Sequence, residues 1–171
     1  TGLAAMSYAG GSTWYIASYS NQYVYKSTND GVTWDSSYLS LYQVTDFKFL
    51  NENTGFGVCK YNVFFKTTNG GTNWFINNII GSQNWTVNFI DEHTGYINGG
   101  QGLRKTTDGG ITFFTIFDSS IFHGWDVKFL GRDTIFVSGL SNNNESTIWK
   151  TVNGGENWTA RNIPGYSSIE L

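Results

Sequence analysis

The chain has 171 residues, within the size of a single domain, and is 39% hydrophobic and 18% aromatic but only 13% charged, about half the usual share. That balance excludes a disordered chain, which would carry much charge and few aromatics. A net charge of −3, with only Arg104, Arg132 and Arg161 as arginines and no lysine cluster, excludes a phosphate-tracking surface, so no nucleic-acid partner is expected. No apolar run approaches the ~20 residues of a membrane-spanning helix, and no membrane insertion is expected. Cys59 is the only cysteine, which leaves no internal disulfide and no thiolate metal cage. The sequence opens at Thr1 without an initiator Met or a signal segment, the pattern of a processed chain or of a segment of something longer. A surface of Asn, Ser, Thr and Gly leans towards the extracellular space or cell surface, with the periplasm as the alternative.

In chain order the elements repeat. "LAAMSY" at Leu3 is followed by "TWYIAS" at Thr13 and "KSTNDGVTWD" at Lys26. The same three pieces return as "TDFKFL", "TGFGVC" and "KTTNGGTNWF", then as "TVNFI", "TGYING" and "KTTDGGITFF". They close as "DVKFL", "TIFVSG" and "KTVNGGENWT". Lys26, Lys66, Lys105 and Lys150 lie 40, 39 and 45 residues apart, and Thr13, Thr54, Thr94 and Thr134 lie 41, 40 and 40 apart. Two registers thus agree on one repeat. Phe47 and Phe49, Val87 and Phe89, and Val127 and Phe129 are each two apart, so each pair shares one face of a strand.

Each unit reads as four short strands, the last starting at the aromatic after the glycine-rich phrase. Asn-Gly and Asp-Gly pairs supply the positive φ that tight hairpins demand. Helical spacing is absent nearly everywhere, so the fold class is all-β. Units of ~40–45 residues with four strands are the signature of β-propeller blades, each too small to bury both faces alone. A β-solenoid, with shorter coils, is the competing reading. The blades are expected at about 1–41, 42–81, 82–122 and 123–165, with a further one starting at 166–171. Both ends then correspond to a first strand, which predicts four consecutive blades of a ring of seven or eight. A self-contained four-bladed ring is the alternative.

The glycine-rich phrase resembles the Asp-box, or bacterial neuraminidase repeat, Ser/Thr-x-Asp/Asn-x-Gly-x-Thr-Trp/Phe. Its matches are Ser27, Asn29, Gly31, Thr33 and Trp34; Thr67, Asn69, Gly71, Asn73 and Trp74; Thr106, Asp108, Gly110, Thr112 and Phe113; and Thr151, Asn153, Gly155, Asn157 and Trp158. Asn replaces the central Asp in three copies and Thr in two. The whole unit is similar to repeats of the photosystem II stability/assembly factor family, which also occur in large secreted bacterial proteins. The resemblance implies a propeller in which each box is the turn between the third and fourth strands, its Asp/Asn bonding amides within the turn. The boxes are then structural staples.

The resemblance also raises sialidase chemistry, which needs three convergent arginines, a Tyr–Glu pair and an Asp; the three arginines here sit in unrelated positions of the repeat. Xyloglucanase-like enzymes use two carboxylates. Asp46, Asp91, Glu92, Asp126 and Asp133 could reach a rim, but no pair is singled out by spacing. His93 and His123 lack metal-ligand spacing, and no cofactor or metal is expected. Trp85 and Trp125 share strand parity with the core pairs after them, which predicts core packing over a sugar-stacking platform. Asn84, Asn144 and Asn157 begin N-glycosylation tripeptides, common by chance in an Asn-rich chain. The connections between units remain as binding candidates, at Tyr42, Gln83, Phe122, His123, Asn142, Asn143 and Asn144, whose polar chemistry suits a protein or glycan partner. The expected function is a non-catalytic extracellular scaffold or adhesion module, joined to further blades or domains of its polypeptide. A glycoside hydrolase fragment and an assembly factor for a membrane complex are the alternatives.

Overall fold

Period-two alternation makes short strands, and Asn, Asp and Gly end them. The computed structural model describes residues 2–39, 43–79, 83–118, 122–141, 143 and 145–167, with backbone alone at 3–4, 122–125 and 164–167. Four four-stranded sheets result, each in sequence order. The first holds β1 (Leu3–Gly10), β2 (Thr13–Ser18), β3 (Tyr23–Ser27) and β4 (Asp35–Tyr38). The second holds β5 (Val44–Phe49), β6 (Gly55–Cys59), β7 (Val63–Thr67) and β8 (Phe75–Asn78). The third holds β9 (Asn84–Phe89), β10 (Gly95–Gly99), β11 (Gly102–Thr106) and β12 (Phe114–Asp118). The fourth holds β13 (Phe122–Leu130), β14 (Thr134–Ser141), β15 (Glu145–Thr151) and β16 (Thr159–Ser167). No helix occurs among the described residues. Each fourth strand begins one residue after the aromatic of its turn, and β16 runs on to Ser167, which pairs with Glu145. Residues 166–167 therefore belong to the fourth sheet; Ile169, Glu170 and Leu171, read as a new first strand, lie outside the described residues.

The chain forms two compact units, Thr1–Gly100 with Lys105–Phe114, and Gln101–Arg104 with Thr115–Leu171. In the first, sheets pack face to face through aromatic stacks. The rings of Tyr15 and Phe49 lie 3.6 Å apart and 3° from parallel. One repeat later Phe56 and Phe89 stack at 3.6 Å and 1°. All four are at most 3% exposed. Burying each such ring contributes roughly 1.5–3 kcal/mol, and a ring pair about 0.5–1.5 kcal/mol more. Around the stacks, Ala17, Val24, Phe47 and Phe65 join one core, and Val58, Phe64, Val87 and Ile97 the next. Gly57 is obligatory there, since a Cβ would come within 2.1 Å of the Phe65 ring that covers it. Polar ties repeat with the stacks. Thr13 Oγ1 donates to Glu52 (3.2 Å) and Thr54 Oγ1 to Glu92 (3.4 Å); Ser7 Oγ accepts from Phe49 N (2.8 Å) and Asp46 from Val87 N (3.0 Å). In the second unit Ile135, Val137 and Trp149 are buried, and Phe117 meets Trp149 and Trp158 edge-on at 5.5 and 4.6 Å.

The glycine-rich phrases are four copies of one clip. In each, the hydroxyl of Ser27, Thr67, Thr106 or Thr151 accepts from the N–H of Gly31, Gly71, Gly110 or Gly155 at 2.9, 2.9, 2.9 and 3.1 Å. The same hydroxyl donates to Oδ1 of Asn29, Asn69, Asp108 or Asn153 at 2.9, 3.0, 2.7 and 2.8 Å. That Oδ1 accepts from the N–H of Thr33, Asn73, Thr112 or Asn157 at 2.9, 2.9, 2.9 and 3.0 Å. Two consecutive left-handed residues make the bend, for example Gly70 at φ 65° and Gly71 at 84°, so its amides point inward and need these acceptors. The aromatics diverge. Trp34 and Trp158 donate Nε1–H to the carbonyls of Gly31 and Gly155, at 3.0 and 3.1 Å, whereas Phe113 packs edge-on against Phe64 at 5.2 Å.

Truncating Phe56 to Ala removes the ring that stacks on Phe89 of the next sheet and is expected to cost about 3–5 kcal/mol in urea denaturation. Only the third clip has a carboxylate, Asp108, at the central position that the other three fill with Asn. Bonds from the Thr112 hydroxyl and N–H, then from Thr106 and Ile111, hold Asp108 at about 2, below its ordinary 3.8. Its contribution is complete above the unfolded value and is lost as pH falls through about 2. Between pH 4 and pH 2 the wild-type urea midpoint should therefore fall further than that of Asp108→Asn, which copies the other three clips. Equal slopes would count against the clip's role.

Candidate functional site

At the strand ends away from the clips, one irregularity recurs. Register shifts fall between Leu3 and Ala5, Val44 and Asp46, and Gly124 and Asp126, and opposite Asn98 and Gly99 in the third sheet. Ala4, Thr45, Trp85 and Trp125 are thus the extra residues of four β-bulges. A bulge reverses the alternation of everything before it. Asn84 accordingly turns inward, fully buried, with Nδ2 3.4 Å from the Cys59 carbonyl. Trp85 is 40% exposed. The expectation of core packing for Trp85 is thereby corrected: parity with Val87 and Phe89 does not survive the bulge. The Trp125 backbone occupies the equivalent position. The tripeptide at Asn84 is also closed to glycosylation by burial of its amide.

The bulges join the connecting loops along one edge of the first unit. Thr45 Oγ1 donates to the Asn84 carbonyl at 3.1 Å, Lys60 N to Gln43 O at 3.0 Å, Gly100 N to Gln83 O at 2.8 Å and Gln43 N to Tyr19 O at 3.1 Å. Connections between successive sheets of the first unit therefore share an edge with the turns between second and third strands. Exposed aromatics stand there in three successive repeats, Tyr19 (40%), Tyr61 (63%) and Trp85 (40%), with Lys60 Nζ 5.8 Å above the Tyr61 ring and Gln83 exposed beside them. Such an edge offers flat apolar faces and amide hydrogen bonding. Tyr19 and Tyr61 were not legible as site residues; the signal for Trp85 was the odd spacing of apolar Val44 and Phe47, which a regular strand does not allow on one face.

Of the other expected binding residues, Tyr42, Asn142 and Asn144 lie outside the described residues. Phe122 and His123 have their backbones in β13, paired with Ser141 and Leu140, and Asn143 is exposed between β14 and β15. Asp91 and Glu92 serve the framework. Asp91 accepts from the N–H groups of His93 and Thr94, Glu92 from Thr54, and Asp126 pairs with Lys128 at 3.2 Å. Burial raises the Asp46 carboxyl above its ordinary value, partly opposed by the bond from Val87 N, and pushes the Cys59 thiol up to about 12. Arg104 is buried, with its guanidinium value lowered by desolvation, while Arg132 and Arg161 are exposed. Among the described residues no group of His, Cys, Asp and Glu is placed to hold a metal.

Known structures share the fold. A structure of YCF48 bound to D1 peptide superposes with a TM-score of 0.68 at 14% identity, covering 94% of this chain and 53% of that one. YCF48 from Cyanidioschyzon merolae gives 0.69 at 14% identity, covering 94% and 56%. A GH74 xyloglucanase from Xanthomonas campestris gives 0.55 at 10% identity, covering 93% and 38%. The fold is a β-propeller. No protein-family model and no curated protein sequence matches the chain. The four sheets are propeller blades, and the chain spans about half the length of the YCF48 structures.

If the bulge sets the edge, Asn84→Ala should cost about 1–3 kcal/mol, because it strands buried polar groups, while Trp85→Ala stays within about 0.5 kcal/mol. Chemical denaturation of both variants decides; equal costs would mean that Trp85 is a core residue.

Proposed function

We propose that the chain is a non-catalytic propeller module whose bulged edge binds an extended partner, a protein or glycan chain, in the extracellular space or on the cell surface. The observation that carries this reading is the exposure of Trp85 in a bulge on the edge that also carries exposed Tyr61 and Tyr19. Aromatic faces contribute area at low entropic cost, and neighbouring amides adapt their hydrogen bonds to a sugar or a peptide backbone. The propeller likeness adds support on both arms, since one structural neighbour carries a peptide and another is a xyloglucanase. The low charge and the Asn-, Ser- and Thr-rich surface support display outside the cell. We assign the clips to the Asp-box type on their Ser/Thr–Asp/Asn bonding. The share of the YCF48 length that is matched supports further blades completing the ring.

The test uses xyloglucan and β-glucan oligosaccharides and a library of extended peptides, read by tryptophan fluorescence and calorimetry. A member of one class should bind the wild type, and Trp85→Ala or Tyr61→Ala should weaken it at least tenfold with an unchanged melting profile. Binding that ignores both substitutions, or no binding in either class, would overturn the reading.

A further inference from the structure

The chain contains three Asn-Gly pairs, Asn69-Gly70, Asn98-Gly99 and Asn153-Gly154. Asn before glycine is the pair most prone to lose its side-chain ammonia, because glycine has no Cβ to keep its nitrogen from the neighbouring carboxamide carbon. Asn98 is shut away from water inside β10, at 2% exposure. The other two stand in clips near the surface, Asn69 exposed and Asn153 half-buried, so burial does not shield them.

The clip restrains both partners of that reaction. The nitrogen must shed its proton to attack, and in each clip a carbonyl holds that proton in place: Gly70 N donates to Asn53 O and Gly154 N to Asp133 O, both at 2.9 Å. The carboxamide is held by its oxygen. Asn69 Oδ1 accepts from the Thr67 hydroxyl and Asn73 N, and Asn153 Oδ1 from the Thr151 hydroxyl and Asn157 N. Thr67 and Thr151 are 2% and 1% exposed, so the hydroxyls are themselves fixed. Exchanging the glycine is no remedy at Gly70, where φ is 65° and a Cβ would come within 3.0 Å of Glu52 O. The other two clips avoid the pair. The first has Asn29-Asp30, and the third has Asp108, whose carboxylate stays ionised and is a poor electrophile.

We propose that Asn69 and Asn153 are modification sites gated by their clips: a closed clip keeps the residue intact, and local opening lets water convert it to aspartate or isoaspartate. On opening, Gly70 N gives up its proton and bonds to the side-chain carbonyl carbon of Asn69, which expels its amino group as ammonia and leaves a five-membered imide. Water then opens the imide at either carbonyl. One product is an ordinary aspartate, the residue that the third clip holds as Asp108, and the clip closes on it. The other routes the main chain through the side chain, one methylene longer, so bonds set at separations of two and four residues do not re-form. Each isoaspartate thus records an opening and keeps that clip open. The clips lie at the opposite strand ends from the edge that carries Trp85, and neither role requires the other.

The test is peptide mapping by mass spectrometry after incubation in mildly alkaline buffer, with and without denaturing urea. Conversion at Asn69 and Asn153 should be at least about tenfold slower without urea. Thr67→Val, which keeps the side-chain shape and removes the hydroxyl, should speed conversion at Asn69 without urea and leave Asn98 and Asn153 unchanged. Thr151→Val should act on Asn153 alone. Asn98 reports opening of the whole first unit, so a variant that merely unfolds is recognised by it. Asn69→Asp should keep the wild-type urea midpoint, whereas refolded chains with isoaspartate in place of Asn69 should have a lower one. Equal rates with and without urea, a Thr67→Val chain whose Asn69 rate is unchanged or rises only together with that of Asn98, or isoaspartyl chains as stable as wild type would overturn the proposal.

Discussion

The parallel contact of aromatic rings between neighbouring sheets is the constraint on which the structure depends. A four-stranded sheet of twenty-odd residues has two faces and too little volume to bury either against itself. Tyr15 on Phe49 and Phe56 on Phe89 solve this at the two junctions of the first unit by the same means, with separations of 3.6 Å. Such close contact is possible because small residues lie across from the rings. Gly55 and Gly95 sit so close to Phe49 and Phe89 that a Cβ would come within 2.6 and 2.5 Å of them. In the second and third sheets the ring and the space for it therefore occur together.

The clips and the bulges answer different demands at opposite ends of the strands. A turn through two left-handed residues aims several amides at one point, and a short Ser/Thr and Asp/Asn pair is the smallest acceptor set that satisfies them. Asn does this as well as Asp, and three clips use it; the single carboxylate at Asp108 gains a depressed proton affinity from the same bonds. At the other end a bulge ends the regular pairing and turns one side chain outward. Tertiary packing decides what becomes of it. Thr45 is held by carbonyls of Val58 and Asn84, whereas Trp85 has its ring at the surface.

The propeller edge is thus separated into a framework side and a presenting side. Acids concentrate on the first, where Glu52, Asp91, Glu92 and Asp108 each accept bonds from the backbone or hydroxyls of the fold. Exposed aromatics and amides occupy the second.

By itself the sequence determined the repeat, the four-stranded unit, the turn positions and the inward pairs such as Phe47 and Phe49, because these follow from local periodicity and from the backbone demands of tight turns. It misplaced Trp85, since parity counting assumes an unbroken strand and a bulge is a property of the pairing partner. Only the tertiary structure decided which faces are covered. Phe56 and Phe136 are equivalent in the repeat, yet one is sealed and the other lines a groove. That difference lies in the neighbouring sheet, a contact between residues distant along the chain, and no local pattern carries it.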